Sequence, residues 1–138
     1  MLFLNAYGYG YSINRAENIV NWFISKYLPR HKITVDINHR GMKRDHAFGW
    51  ISVTDYDYRP REFEIELQSN MDPELYTITL LHELWHLLQH IRGHLKDKRG
   101  KRYWRGTDCS LMDYTDQPWE LEAHSMEQVL YEDYLTTS

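Results

Sequence analysis

Apolar residues recur along this chain with two different periods, and the changes from one to the other mark out its elements. Between Asn14 and Leu28, residues Ala16, Ile19, Val20, Trp22, Phe23 and Tyr27 fall at helical spacing. Asn14 and Glu17 are placed as an N-cap and its reciprocal partner, and Pro29 stops the helix. Ile33, Val35 and Ile37 then alternate with Thr34 and Asp36, and Phe48 to Val53 form a second short apolar run. Both predict strands, joined by a basic turn from His39 to His46. The alternation is cleanest from Arg61 to Gln68, where Phe63, Ile65 and Leu67 interleave with Glu62, Glu64 and Glu66, the pattern of a half-buried strand placed by preference at a sheet edge.

A longer helix follows. Asp72 before Pro73 and Glu74 is a start signal, since the Asp side chain caps free amides and proline costs nothing at the first helical position. The spacing predicts a helix to about Arg92, ended by Gly93, whose apolar residues Ile78, Leu80, Leu81, Leu84, Trp85, Leu87, Leu88 and Ile91 cover most of its circumference. Such a helix lies buried between other elements. His94 to Gln117 shows no clear period and reads as a long charged loop, the kind that is functional or disordered in a small domain. A last helix is expected from Pro118, packing through Leu121, Met126, Val129 and Leu130.

With 138 residues, 42% of them hydrophobic, the chain fits one domain over 1–138. A net charge of −4 excludes a global basic field for nucleic acid or acidic lipid. Met1 to Gly10 lacks the features of an export signal, and no apolar run approaches the about 18 residues of a membrane span. The expectation is a soluble, cytoplasmic chain with no membrane partner. The lone Cys109 permits no internal disulfide and reads as an inert buried thiol. The unusual entry is histidine, present 8 times.

Two of these histidines belong to the run His82, Glu83, Leu84, Trp85, His86, the HExxH pattern. On a helix, imidazoles four residues apart share a face, so both can reach one ion, while Glu83, rotated by about 100°, can reach a water bound to it. Neutral imidazole suits zinc, and an open fourth position gives hydrolytic chemistry. By chance alone the pattern has a probability of about 3% in such a chain, so its surroundings matter. From Thr79 to Leu88 every other residue is uncharged, unlike the flanks of a solvated surface pair.

Here the sequence resembles the zincin metallopeptidases, and among them the gluzincins. The likeness covers Arg61 to about Glu127 and rests on the Phe63 to Leu67 strand, the Thr79 to Leu88 stretch, and the run Pro118, Trp119, Glu120, Leu121, Glu122, Ala123. In ImmA/IrrE-type and membrane CAAX-type peptidases the third ligand is the Glu of a Glu-x-x-Ala pattern, which Glu120 and Ala123 match. Trp104, Arg105 and Gly106, with Tyr114 and the Pro-Trp-Glu run, are similar to small bacterial and phage members of the group. The resemblance implies an α+β, minimal zincin-like fold. It would have an N-terminal helix, a small twisted and mostly antiparallel sheet with an edge strand, a central HExxH helix and a C-terminal glutamate helix. It implies one zinc ion per chain held by His82, His86 and Glu120, with Glu83 activating water to hydrolyse a peptide or protein substrate paired along the Arg61 to Gln68 strand.

The chain departs from these families at His124, where they carry an acid or amide four positions after the ligand Glu. His124 shares a helix face with Glu120, so it is a candidate for a donor supporting a ligand, for a ligand itself, or, with Tyr114 as the alternative, for a donor to the transition state. Glu122 is the rival third ligand, on a different face. His90 and His94 extend the row from His82, but steps of four climb about 6 Å and drift about 40°, so one ion cannot reach them all. Arg92 and Gln89 stand where a metzincin has His and Gly, which excludes that class. An SprT-like, DNA-associated protease with His94 as a ligand remains a second reading, and a catalytically inactive metal-stabilised binding module a third. Lys96, Lys98, Arg99, Lys101, Arg102 and Arg105, with Tyr103 and Trp104 among them, mix charge and stacking surface as nucleic-acid binders do, although such a run is more often a solvated loop. His31, His39 and His46 read as surface residues in turns, and Glu62, Glu64 and Glu66 would favour basic substrates only if they lined the cleft.

Overall fold

The computed structural model describes residues 1–42, 47–55 and 59–137, so His46 and part of the basic turn lie outside the described residues. In chain order the elements are β1 (Leu2–Gly8), α1 (Ile13–Tyr27), β2 (Ile33–Arg40), β3 (Gly49–Val53), β4 (Glu62–Gln68), α2 (Pro73–Ile91), β5 (Leu95–Lys98), β6 (Lys101–Trp104), β7 (Thr107–Asp108), a 3₁₀ turn at Tyr114–Asp116, and α3 (Pro118–Thr137). This is an α+β chain with three helices and two sheets among the described residues.

The larger sheet runs β1-β2-β4-β3. Its sense differs from the expected antiparallel one: β1 with β2 and β2 with β4 are parallel, and β3 with β4 is antiparallel. The cause is β1, unanticipated because its alternation of Leu2, Leu4 and Ala6 against Phe3, Asn5 and Tyr7 is weak in hydrophobic contrast. Helix α1 then serves as the crossover that a parallel pair requires. It is capped by Ser12 rather than Asn14, the Ser12 hydroxyl accepting from the Arg15 amide at 3.2 Å.

Strand β4 is interior, between β2 and β3, and the edges are β1 and β3. One open sheet face produces the same alternation in an interior strand as in an edge strand, which is why the pattern from Phe63 to Leu67 misleads. Phe63, Ile65 and Leu67 point with Ile33, Val35 and Ile37 into the core shared with α1 and α2, while Glu64 and Glu66 sit on the far face, where Glu66 pairs with Arg40. His39 continues that inward alternation two residues after Ile37 and is 1% exposed, not a surface turn residue. Its Nδ1 donates to the Tyr7 carbonyl at 2.9 Å, the Tyr76 hydroxyl donates to its Nε2 at 2.8 Å, and Tyr11 stacks on its ring. His31 does lie outside regular structure, half-buried after α1.

The expected long loop after α2 is instead a small antiparallel sheet, β5-β6-β7. Its turns are two residues long, Arg99-Gly100 and Arg105-Gly106, all with positive φ. Turns this short, in a run dense with lysine and arginine, conceal the alternation. Leu95, Cys109 and Trp119 form a second, smaller core beneath this sheet, with Trp104 against it, and Cys109 is buried there as a free thiol. No helix among the described residues is long and apolar enough to cross a membrane.

Helix α3 packs on α2 through Ala123 and Leu130, with Met126 and Tyr134 at the border, while Leu121 and Val129, expected inward, are 56% and 54% exposed. Its far end reaches α1, where Trp22 Nε1 donates to Thr137 at 2.9 Å and Lys26 pairs with Asp133. Ala123 is fully buried at the α2–α3 contact. Added methylenes there must force the helices apart, so Ala123→Leu is expected to lower unfolding stability by about 1–3 kcal/mol, read from urea melts against Leu121→Ala as an exposed control.

Candidate metal centre

Helix α2 is fixed at its start by Asp72, whose carboxylate accepts from the Glu74 and Leu75 amides, both at 3.1 Å. Its middle runs through the interior, so its polar residues are buried with the apolar ones: His82, Glu83, His86, Gln89 and His90 are all within the core. Buried polar groups need partners. Most find theirs on α3.

His82 Nε2 and His86 Nε2 lie 3.2 Å apart. The Glu120 carboxylate, from the first turn of α3, meets both, at 3.3 Å from His82 and 2.7 Å from His86. These three side chains form a group able to hold a metal ion. What turns the two rings toward one point is their other nitrogen. A carboxylate and an amide oxygen only accept, so His82 Nδ1 donates to Glu127 Oε1 at 2.7 Å and His86 Nδ1 donates to Gln89 Oε1 at 2.8 Å. Each ring in its neutral form therefore presents an Nε2 lone pair to the same point, and the donor set of two imidazoles and one carboxylate fits zinc with one position left open.

Gln89 is held in turn, its Nε2 donating to the Trp119 carbonyl and to Glu122 Oε1, each at 3.1 Å. Trp85 Nε1 also donates to Glu122, at 2.8 Å. Glu122 is thereby turned to the other side of α3 and away from the two imidazoles. His94 faces Trp104 edge-on and belongs to neither of the His/Glu groups found among the described residues.

Tyr114 and His124 stand together at the exposed rim. The Tyr114 hydroxyl donates to Glu120 Oε2 at 2.9 Å and lies 3.3 Å from His124 Nε2, and His124 Nδ1 donates to Glu127 at 3.0 Å. Glu127 thus serves two histidines, and His82, His124 and Glu127 make up the second His/Glu group. Glu127 and Gln89 were missed in the sequence, although Glu120, His124 and Glu127 follow helical spacing and Gln89 lies three residues after His86.

The electrostatics follow from burial and these contacts. Burial pushes the Glu120 carboxyl up, but hydrogen bonds from His82 and His86 outweigh it and hold it well below the usual range. For His82 burial works against the charged form, yet Glu120, Glu83 and Glu127 lift its pKa above the ordinary value. Burial raises the Glu83 carboxyl despite the two imidazoles, with Glu120 and Glu127 adding to the rise. Burial and the bond to Glu120 push the Tyr114 hydroxyl to about 12, so it remains a donor at neutral pH.

A cavity of about 570 Å³ opens beside this cluster, walled by Phe48 and, from β3, Gly49 and Trp50 on one side and by Glu83, His86 and His90 of α2 on another. The strand bordering it is β3, not the β4 segment from Arg61 to Gln68, and Glu62, Glu64 and Glu66 do not line it. Comparison with protein-family models, curated proteins and solved structures finds no match to this chain.

His90 makes the fold acid-sensitive. Burial lowers its pKa from 6.5 to about 4. Above 6.5 the ring is neutral folded or unfolded; between 6.5 and 4 the unfolded chain takes up a proton that the folded one does not, so stability falls as pH drops and levels off below the folded pKa. The loss attributable to this ring is about 3 kcal/mol. In His90→Leu, urea melts across this range are expected to show a shallower fall than in the unsubstituted chain.

Proposed function

We propose that this protein is a zinc-dependent metallopeptidase of the gluzincin type, with His82, His86 and Glu120 holding one zinc ion and Glu83 as general base. One observation carries the reading: two imidazole Nε2 atoms and a carboxylate converge at the wall of a cavity that Glu83, 5% exposed, also lines. A carboxylate at the cavity wall beside the two imidazoles is placed for water activation, and a purely structural site has no use for it. The inactive binding module is therefore the weaker reading, and the SprT-like one is disfavoured by His94 lying against Trp104.

Zinc held by His82, His86 and Glu120 would supply Lewis acidity for ionising a water near neutral pH and polarising the scissile carbonyl. Glu83 takes the proton of the attacking water and passes it to the leaving amine nitrogen, and its raised pKa brings it nearer the working pH for both transfers. Tyr114, kept protonated, stands beside Glu120 as the donor to the negative charge that develops on the carbonyl oxygen, and His124 adds a second donor only in the form that carries a proton on Nε2 as well as on Nδ1. The edge of β3 offers unpaired main-chain groups to an extended substrate, with Phe48 and Trp50 exposed along it. The substrate is a peptide or protein segment able to lie as a strand.

Metal analysis of the purified chain should give one equivalent of zinc, absent from the His82→Ala, His86→Ala double variant; zinc retained in that variant would put the site elsewhere. Glu83→Gln should keep the zinc and lose cleavage of a peptide library, and undiminished cleavage would remove Glu83 from the mechanism. Because Glu127 orients His82, Glu127→Gln should weaken zinc binding by about 10–100-fold in a chelator competition.

A further inference from the structure

We infer that the outer face of the β5–β6 hairpin is a docking surface for single-stranded nucleic acid. Register and the strand period of two divide the hairpin into two faces. Leu95 opposite Trp104 and Asp97 opposite Arg102 form the inner face, where Leu95 joins the small core and Arg102 pairs with Asp97 through two bonds of 2.7 and 2.8 Å. Lys96 opposite Tyr103 and Lys98 opposite Lys101 form the outer face. All three lysines are exposed and Tyr103 is half-buried among them.

This face is poorly neutralised. Two lysines directly across a strand pair destabilise it. Among the described residues Lys96, Lys98 and Arg99 have no ion pair, and Lys101 reaches only Asp108, at 3.8 Å and largely in solvent. The turn adds an independent observation. Arg99 has φ 54 and Gly100 φ 78, a two-residue hairpin turn whose first position favours asparagine, aspartate or glycine. Arginine there accepts a backbone cost and adds a fourth cation at the tip. An ordered face with repelling charges is a different object from a solvated basic loop, because its lysines are held together in the absence of a partner.

A phosphate backbone matches the row of cations, which repeat about every 7 Å along β5. Tyr103 supplies a stacking surface that an acidic polypeptide would not use. The inner face of the same hairpin lines the cavity through Leu95 and Arg102, so a strand bound outside would lie across the back of one cavity wall.

The test is fluorescence anisotropy of the full chain with a labelled mixed-sequence DNA of about 20 nucleotides. Saturable binding is expected in low salt. With three phosphate contacts and a slope of about 0.7 per contact, it should weaken about 20-fold between about 50 and 200 mM salt. The triple variant Lys96→Glu, Lys98→Glu, Lys101→Glu should lose binding by more than about 10-fold, with its thermal melt and zinc content unchanged. Tyr103→Leu should weaken binding by about fivefold or more. Absence of saturable binding, a triple variant that binds as well as the unsubstituted chain, or displacement by polyglutamate at equal charge concentration would each overturn the inference.

Discussion

Gln89 sits where α2 meets α3, and its side-chain amide is used from both ends: the oxygen receives His86 and the nitrogen serves the Trp119 carbonyl and Glu122. This buried seam fixes the register of the two helices. Trp85 adds a second bond to Glu122, and Ala123, with almost no side chain, lets the backbones close over both. With Glu122 committed to the seam, Glu120, two residues earlier on the helix, is rotated to the opposite side, where the two Nε2 atoms wait. The geometry of the His/Glu cluster thus depends on an uncharged amide that is itself outside the cluster.

The apolar residues of α2 pack on the sheet, and its polar ones face α3 and the cavity, so one helix carries both the core and two members of the His/Glu cluster. That is why its hydrophobic pattern runs nearly all the way round. The sheet contributes through its edge: β3 folds back antiparallel beside β4 and brings Phe48 to Ile51 alongside the cluster, closing a cavity that α2 and α3 alone would leave as an open groove.

The helices were legible in the sequence because each announces itself locally. Asp72 and Pro73 start α2, Gly93 follows its end, and the spacing of His82 and His86 predicted their shared face. Glu120 was found through a resemblance, and the helices then bring it to both histidines. What stayed hidden was mostly long-range. Which strand takes the edge depends on where β1 and β3 dock, and nothing in the Phe63 to Leu67 alternation encodes that. The small sheet went unseen because its turns place arginine where asparagine is usual. The burial of His39 was readable from its place two residues after Ile37, but a histidine in a basic stretch masked the continuing period. Hydrophobicity alone points Leu121 and Val129 inward, whereas the helix presents Ala123 and Leu130 to its neighbour.

Two imidazoles whose outer nitrogens are already donating, facing a carboxylate within 3.3 Å, leave a point surrounded by electron pairs that cannot satisfy one another. Protons and a cation are the two positive occupants that would satisfy all three at once. The two compete directly, since each histidine that takes a proton on Nε2 ceases to be a ligand. The same point also ties the first turn of α3 to α2. On the proposed zinc reading, acidification, ion release and loosening of the C-terminal helix would be one coupled equilibrium, open to titration from either the proton or the ion side.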